Sequence, residues 1–397
     1  MARTNKKIFR YLIPVFLIVV YVGYAALKVA TAQEHTTEKQ EQEHSAEEIS
    51  APHTDEVVHA DEVTPHTDEN HNESNKLDAG KLIMEHIADA HDWHIATLGH
   101  THISIPLPVI IKDQNGIHCF SSSRFEHGHA AYQGYKLEDN KLVAVNEDGS
   151  VDEHASFYDL SITKNVASMF MAVAILFLLV FSTVRQYRKN GKKAPRGIAS
   201  LIEMMVVFIR DDVAKPSIGP KYEKFMPFLL TIFSFILINN AFGLIPFFPG
   251  GANVTGNIAV TMVLAIFTFV ITSFNGNKSY WGHIFLPPGV PKVLWILLVP
   301  IEIIGMFNKP IVLMIRLFAN ITAGHIIILG FFSLIFIFGA MNSALGLGVS
   351  VFSVAFTTFM NFLELLVAFL QAYVFTLLSS LYFGAAVEEH HHAEDHH

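Results

Sequence analysis

The chain has 397 residues, of which 51% are hydrophobic and 33 are Phe, and a mean hydropathy of +0.37. That balance describes an integral membrane protein rather than a soluble enzyme. The net charge of -9, with 22 His, excludes the basic surface of a nucleic-acid-binding protein, and the single cysteine, Cys119, excludes an internal disulfide framework and any Cys-based metal site.

The N-terminus opens with Arg3, Lys6, Lys7 and Arg10 ahead of an apolar run that ends in Ala30-Thr31-Ala32. This three-part pattern predicts a signal peptide over 1–32, with the segment after it exported. Residues 33–76 are rich in Glu, His, Thr and Asp and nearly devoid of large apolar side chains. They cannot bury enough surface to offset ordering entropy, and disorder is expected. Over 77–160 the texture changes to that of a small exported helix/β module. The stretch "KLIMEHIADAHDWH" places Ile83, Ile87 and Trp93 at helical spacing, Asn115-Gly116 between two apolar runs signals a hairpin, and "EDNKLVAVNEDGSV" reads as turn, strand and turn.

From Val166 the apolar runs reach membrane-spanning length. The run 166–184 is followed by "RQYRKNGKKAPR", with six Lys or Arg in twelve residues, which the positive-inside rule assigns to the cytoplasm. The next segment carries an apolar stripe interrupted by Glu203, Arg210, Asp211 and Asp212, as expected of a helix lying along the interface. Further spans are expected at about 225–246, 257–273, 293–340 with breaks at Pro300 and Pro310, and 346–383. The predicted fold is an all-α polytopic membrane protein with five crossings and one interfacial helix, occupying 161–388. Its last two helices are too long to stand upright and should tilt. The His-rich tail, 389–397, falls on the cytoplasmic side.

Polar residues inside the last two helices are the candidates for function, because an ionisable group at membrane depth is costly. At about 100° per residue, Asn320 lies about 40° from Arg316, whereas His325 points to the opposite side. On the last helix Thr357, Asn361, Glu364 and Gln371 fall within about 80° of one another, a polar stripe that should face a neighbouring helix or a water-filled cavity. Arg316 stays protonated at any accessible pH and can act only as a fixed charge, while His325 and Glu364 can titrate and so can carry a proton. Interhelical hydrogen bonding is the structural alternative for Asn320, Thr357, Asn361 and Gln371, and a purely structural pair for His325 and Glu364. There is no His-Glu-x-x-His signature, phosphate-binding loop or nucleophile elbow. No catalytic site, ATP site, metal site or cofactor is expected.

The segment "KPIVLMIRLFANITAGH", 309–325, resembles the signature of subunit a of F-type ATP synthases. "ELLVAFLQAYVFTLLSSLYF" resembles that subunit's final helix, and "LINNAFGLIP", "NVTGNIAVTM" and "VPIEIIGMFNKP" resemble its intervening segments. The resemblance covers roughly 160–388. It implies a stator proton-channel subunit in the cell inner membrane, partnered by a c-ring, peripheral-stalk b subunits, other ATP synthase subunits and lipid, and not by nucleic acid. Arg316 would face the ring carboxylate, with Asn320 and Gln371 as polar neighbours. Glu302 would line an aqueous half-channel, with protons entering past Glu302, His325 and Glu364. In well-known bacterial members His325 is replaced by Glu and Glu364 by His, an exchange that favours contact between them. Gly243 stands where some members carry an acid, and the exported extension lies outside the common pattern. The resemblance leaves open proton or sodium as the coupling ion. Two other readings are a free-standing transporter using the same charges, which should show internal repeats, and a metal-binding extension built on His86, His91, His94, His100 and His102.

Overall fold

In the computed structural model, residues 88–388 are described, apart from 99–100, 139, 147, 153–154, 191–195, 246–247, 249 and 287–289. The expected signal peptide, the His/Glu-rich segment, the beginning of the module at 77–87 and the tail 389–397 lie outside the described residues.

The module before the membrane part is built from antiparallel hairpins. Strands β1 (Asp92–Leu98) and β2 (Thr101–Pro106) pair with Trp93 opposite Ile105. β3 (Pro108–Asp113) and β4 (Gly116–Ser121) form the hairpin expected at Asn115-Gly116. Gly116 adopts φ 135, and one Asp113 carboxylate oxygen accepts the backbone N–H of Asn115 at 2.7 Å and of Gly116 at 3.0 Å. β5 (Tyr135–Glu138) and β6 (Lys141–Ala144) make a second hairpin, and β7 (Tyr158–Asp159) joins the free edge of β3. Val109, Ile111, Phe125, Tyr135 and Leu142 fill the space between them. Burial pushes the Tyr135 phenol up to about 12, helped by the Asp113 carboxylate that it donates to at 3.0 Å, so it remains a donor at ordinary pH.

The helix expected over "KLIMEHIADAHDWH" does not extend to its end, because Asp92, Trp93 and His94 belong to β1. Ile95 and Thr97 are β-branched, and the partner strand contributes Ile103 and Ile105, a composition that favours the pleated form over the helix implied by the spacing of Ile83, Ile87 and Trp93.

The membrane part begins at helix α1 (Lys164–Asn190), whose cap is supplied from the module: Asp89 accepts the N–H of Asn165 at 3.0 Å, and the Lys164 N–H donates to the Ala90 carbonyl at 2.8 Å. Helix α2 (Ile198–Phe208) passes through a π-helical turn, Ile209–Ala214, into the short α3 (Lys215–Ile218), and a 3-10 turn leads to α4 (Tyr222–Gly243). Helices α5 (Ile258–Asn275), α6 (Lys278–Phe285) and α8 (Ser343–Val387) begin at Asn257, Asn277 and Asn342, each of which accepts a first-turn N–H through its side chain.

Helix α7 (Trp295–Met341) departs from expectation by running unbroken through Pro300 and Pro310. Each proline removes one N–H donor without ending the helix, as membrane-embedded helices tolerate. At ~1.5 Å per residue α7 and α8 approach ~70 Å, against a hydrocarbon layer of ~30 Å, so they must tilt or project. Among the described residues five segments are long and apolar enough to cross a membrane: Lys164–Lys189, Ile198–Gly243, Ile258–Asn275, Lys292–Met341 and Ser343–Val387. The chain is a mostly helical, multi-pass membrane protein with a small sheet module ahead of its helices.

Helix α4 is the hub of the packing, burying Phe225, Leu229, Ile232, Phe233 and Ile236 in one cluster with Val166 of α1 and Phe375 and Phe383 of α8. Phe383 is fully buried, stacked on Phe225 at 4.7 Å and edge-on to Phe228 at 5.6 Å. The next residue, Gly384, is pressed against the Ser217 carbonyl, where no side chain fits. Phe383→Ala is expected to destabilise the subunit by ~3–5 kcal/mol through the cavity it leaves. A lower thermal unfolding midpoint of the detergent-solubilised complex measures this, and an unchanged midpoint would contradict the packing.

Candidate functional site

Helices α7 and α8 form an antiparallel hairpin turned at Asn342. Its register is fixed at three levels. Near the turn Gly346 meets Gly339 at a distance that excludes a side chain, in the middle His325 meets Glu364, and at the far end Lys309 lies 5.6 Å from the Tyr382 ring. In that register Gln371 falls within about one turn of the level of Arg316.

The predicted residues separate into two faces. Ser353, Thr357, Glu364, Ala368 and Gln371 are buried and form one side of α8. Asn361, expected within the same stripe, is exposed, because it sits at the margin of a face that the α7 crossing keeps narrow. Arg316 and Asn320 are exposed, beside the strip of α7 that buries Leu313, Leu317 and Ile321 and, for Arg316, on the opposite side of the helix from His325. Among the described residues no carboxylate forms an ion pair with Arg316. Val312 and Ile315 beside it on α7 are exposed, as are Phe362, Leu365, Leu366 and Phe369 further along α8, and only 11% of the most apolar window of α7 is buried. An apolar face of this length with a cation in it has to be covered by lipid or by another protein.

His325 Nδ1 is 2.9 Å from Glu364 Oε1 and 3.1 Å from the Ile321 carbonyl oxygen. Both neighbours are acceptors, so Nδ1 carries the hydrogen. It is directed at the carbonyl one turn back, and Glu364 Oε1 has no aligned hydrogen bond despite being close. The carboxylate therefore lies against the imidazole without an aligned hydrogen bond from it. Glu364 is 7% exposed and reaches this position only because Gly324 has no side chain: an added Cβ would lie 2.7 Å from Oε1. The other ring nitrogen, Nε2, turns towards Gly243, where an added Cβ would lie 3.6 Å from it and 3.8 Å from the Ala252 carbonyl oxygen.

Glu302 does not join this cluster. Because α7 is continuous, Glu302 and His325 lie about 35 Å apart along its axis, with Arg316 between them, so the expected single entry path past Glu302, His325 and Glu364 is corrected to two separate regions. Three participants are not evident from sequence. Asn240 of α4 donates to the Ala368 carbonyl of α8 at 3.0 Å and accepts from Thr255 at 2.6 Å, and Thr322 of α7 donates to the Gly256 carbonyl at 3.4 Å. Only the crowding of Asn, Thr and Gly in otherwise apolar surroundings signals them. Of the histidines considered for a metal, His91 has Nδ1 3.1 Å from the Asn140 carbonyl and Nε2 3.3 Å from Asp159. His86 and His100, and the side chains of His94 and His102, lie outside the described residues.

Comparison with known proteins identifies the scaffold. The model of the family described as ATP synthase A chain matches residues 166–384, the whole helical part from α1 to the end of α8. The chain belongs to the ATP synthase A chain family. Relatives bear this out: ATP synthase subunit a of Chlorobium phaeobacteroides strain BS1 is 40% identical over 394 residues, 97% of this chain and 96% of the relative. That of Chloroherpeton thalassium is 48% identical over 246 residues, 60% of this chain and 71% of the relative. A second family model, described as a domain of unknown function, matches residues 82–162 and so coincides with the β module. As a member of the ATP synthase A chain family the protein is a membrane-sector subunit rather than a catalytic one, and it takes part in ATP synthesis and proton transport.

Two outcomes check the pair. Exchanging both residues, His325→Glu with Glu364→His, should restore more proton pumping than either single change, and an absence of rescue would rule out functional contact. Gly324→Val should displace the Glu364 carboxylate and lower pumping at least tenfold with the subunit still assembled, read by ATP-driven acidification of membrane vesicles.

Proposed function

We propose that the chain is the stator proton channel of its ATP synthase, with Arg316 as the barrier between two half-channels. The observation that carries this reading is the separation of Arg316 from His325 and Glu364. The guanidinium stands exposed on an uncovered apolar face without an acidic partner among the described residues, while on the other face Glu364 is buried and His325 partly so. A cation so placed is stabilised by a carboxylate arriving from outside the chain, the c-ring site, with Asn320 beside it and Gln371 near its level.

The orientation follows from charge. The loop after α1 and the loop bearing Lys278 and Lys292 lie in the cytoplasm, with the module 77–160 exported after a signal peptide, 1–32, and a linker, 33–76. The tail 389–397 then lies in the cytoplasm and the turn at Asn342 outside. His325 and Glu364 fall in the outer half of the hairpin and Glu302 in the inner half. Protons enter past His325 and Glu364, neutralise a ring carboxylate, and leave near Glu302 after Arg316 has favoured its ionised form. Each charge crossing ~100 mV supplies ~2.3 kcal/mol to rotation. The peripheral-stalk b subunits hold the channel against the turning ring.

Arg316→Ala tests the reading. ATP-driven proton pumping in membrane vesicles should be abolished while the subunit is still recovered in the purified complex. Normal pumping would refute the role.

A further inference from the structure

The β module is joined to the helical part at two points. One is the Asp89 cap at the start of α1. The other is Trp93, 3% exposed, whose ring packs edge-on against Phe248 at 5.2 Å and whose indole Nε1 donates to the Gly250 carbonyl at 3.0 Å. Trp93 is buried in the same apolar cluster as α4, not in the core of its own module. A side chain placed this way acts on the segment it touches, the connection between α4 and α5.

That connection is irregular backbone inside the helical bundle. Ala252, Val254 and Thr255 are at most 1% exposed. Its outer end is gripped by Trp93. Its inner end is fastened by Thr255 to Asn240, and through Asn240 to Ala368, one turn from Glu364. Between the two ends the Ala252 carbonyl and His325 Nε2 border the same small space, left open by Gly243. A space with an imidazole nitrogen on one side and a carbonyl oxygen on the other suits a water molecule or a proton in transit. Its width depends on where the Gly250–Thr255 backbone sits.

We propose that Trp93 is a positioning residue for proton entry: by holding the Gly250 carbonyl, the exported module sets the distance between the Ala252 carbonyl and His325 Nε2. This rests on the stator-channel reading given above. The titratable groups around His325 are few. Glu364 faces it from α8, residues 225–275 of α4, α5 and their connection contain no Asp, Glu, Lys, Arg or His, and the nearest charge on α7 itself is Arg316. The Ala252 carbonyl borders the same gap as Nε2, so its withdrawal removes an acceptor from the space a proton entering past His325 would cross, and entry then requires more acid outside.

The test uses the whole complex in liposomes, with passive proton flux driven by a potassium diffusion potential and the entry-side pH varied. Trp93→Phe keeps the ring and removes the N–H donor, Trp93→Ala removes both, and Phe248→Ala loosens the same contact from the exposed side, so that one variant is available if another assembles poorly. Flux near neutral pH should fall roughly 3- to 10-fold, as for the loss of one hydrogen bond, and the half-maximal pH should move to more acidic values. A wild-type profile, or a loss equal at every pH, would overturn the proposal. Arg316→Ala in the same liposomes, read by ATP-driven pumping, separates the two readings. If it abolishes pumping while the Trp93 and Phe248 variants behave as wild type in the flux assay, only the positioning role falls, and if it pumps normally the channel reading falls first.

Discussion

A buried carboxylate is the constraint on which the helical part depends. Glu364 is buried in a hairpin that has no other acidic residue along α8, and a carboxylate so placed needs a polar partner, which the imidazole of His325 provides at 2.9 Å. Bringing the two together fixes the rotation of α7 against α8, demands a glycine at 324, and sends the remaining polar residues of α8 to the same seam. Arg316 follows from the same geometry, because a helix that turns His325 inward to Glu364 must turn position 316 outward. The buried pair and the exposed cation are therefore one structural decision seen from two sides of a helix.

The rest of the bundle keeps that seam from shifting. Helix α4 packs aromatic side chains along the lower part of α8, while Asn240 ties the upper part of α8 to the connection before α5. Hydroxyl groups of Thr268, Thr272, Thr376 and Ser379 return to carbonyls one turn back in their own helices. They leave small, polar-satisfied surfaces on which α5 and α8 approach closely, and Thr268 and Ser379 meet at 3.3 Å. Contacts of this kind hold position without burying further charge, which is costly at membrane depth.

Much of this was legible in the sequence, for physical reasons that differ between elements. Long apolar runs have few alternatives to spanning helices, so the five crossings are plain. A guanidinium, an imidazole and a carboxylate in such runs are conspicuous because they are costly, and the helical period alone turns Arg316 and His325 apart. What escaped depends on contacts distant in sequence. Trp93 fits a helical spacing with Ile83 and Ile87, and only its pairing with β2 and its contact with Gly250 reveal a strand residue reaching into another part of the chain. Pro300 and Pro310 read as breaks because proline opposes helices in water, yet α7 continues through them, and that continuity removes Glu302 from the company of His325. Asn361 lies near the margin of the predicted stripe, where the width of the helix crossing, not the period, decides burial.

The position of the β module changes what the segment ahead of the helices is for. A domain hung from a flexible tether would leave the first turn of α1 to cap itself and the α4–α5 connection to settle alone. Here Asp89 supplies the cap, and Trp93 lies among buried residues of the helical part, so the module and the outer end of the bundle share one packed surface. The connection it touches is the irregular backbone nearest to His325, and irregular backbone at membrane depth is tolerated where it borders a cavity or is buried in protein. Of the four walls around the imidazole, α7 carries the ring, α8 sets Glu364 beside it and α4 leaves the gap at Gly243. The fourth wall, the backbone from Gly250 to Thr255, is fastened inside the bundle by Thr255 on Asn240 and contacted from the module by the Trp93 indole.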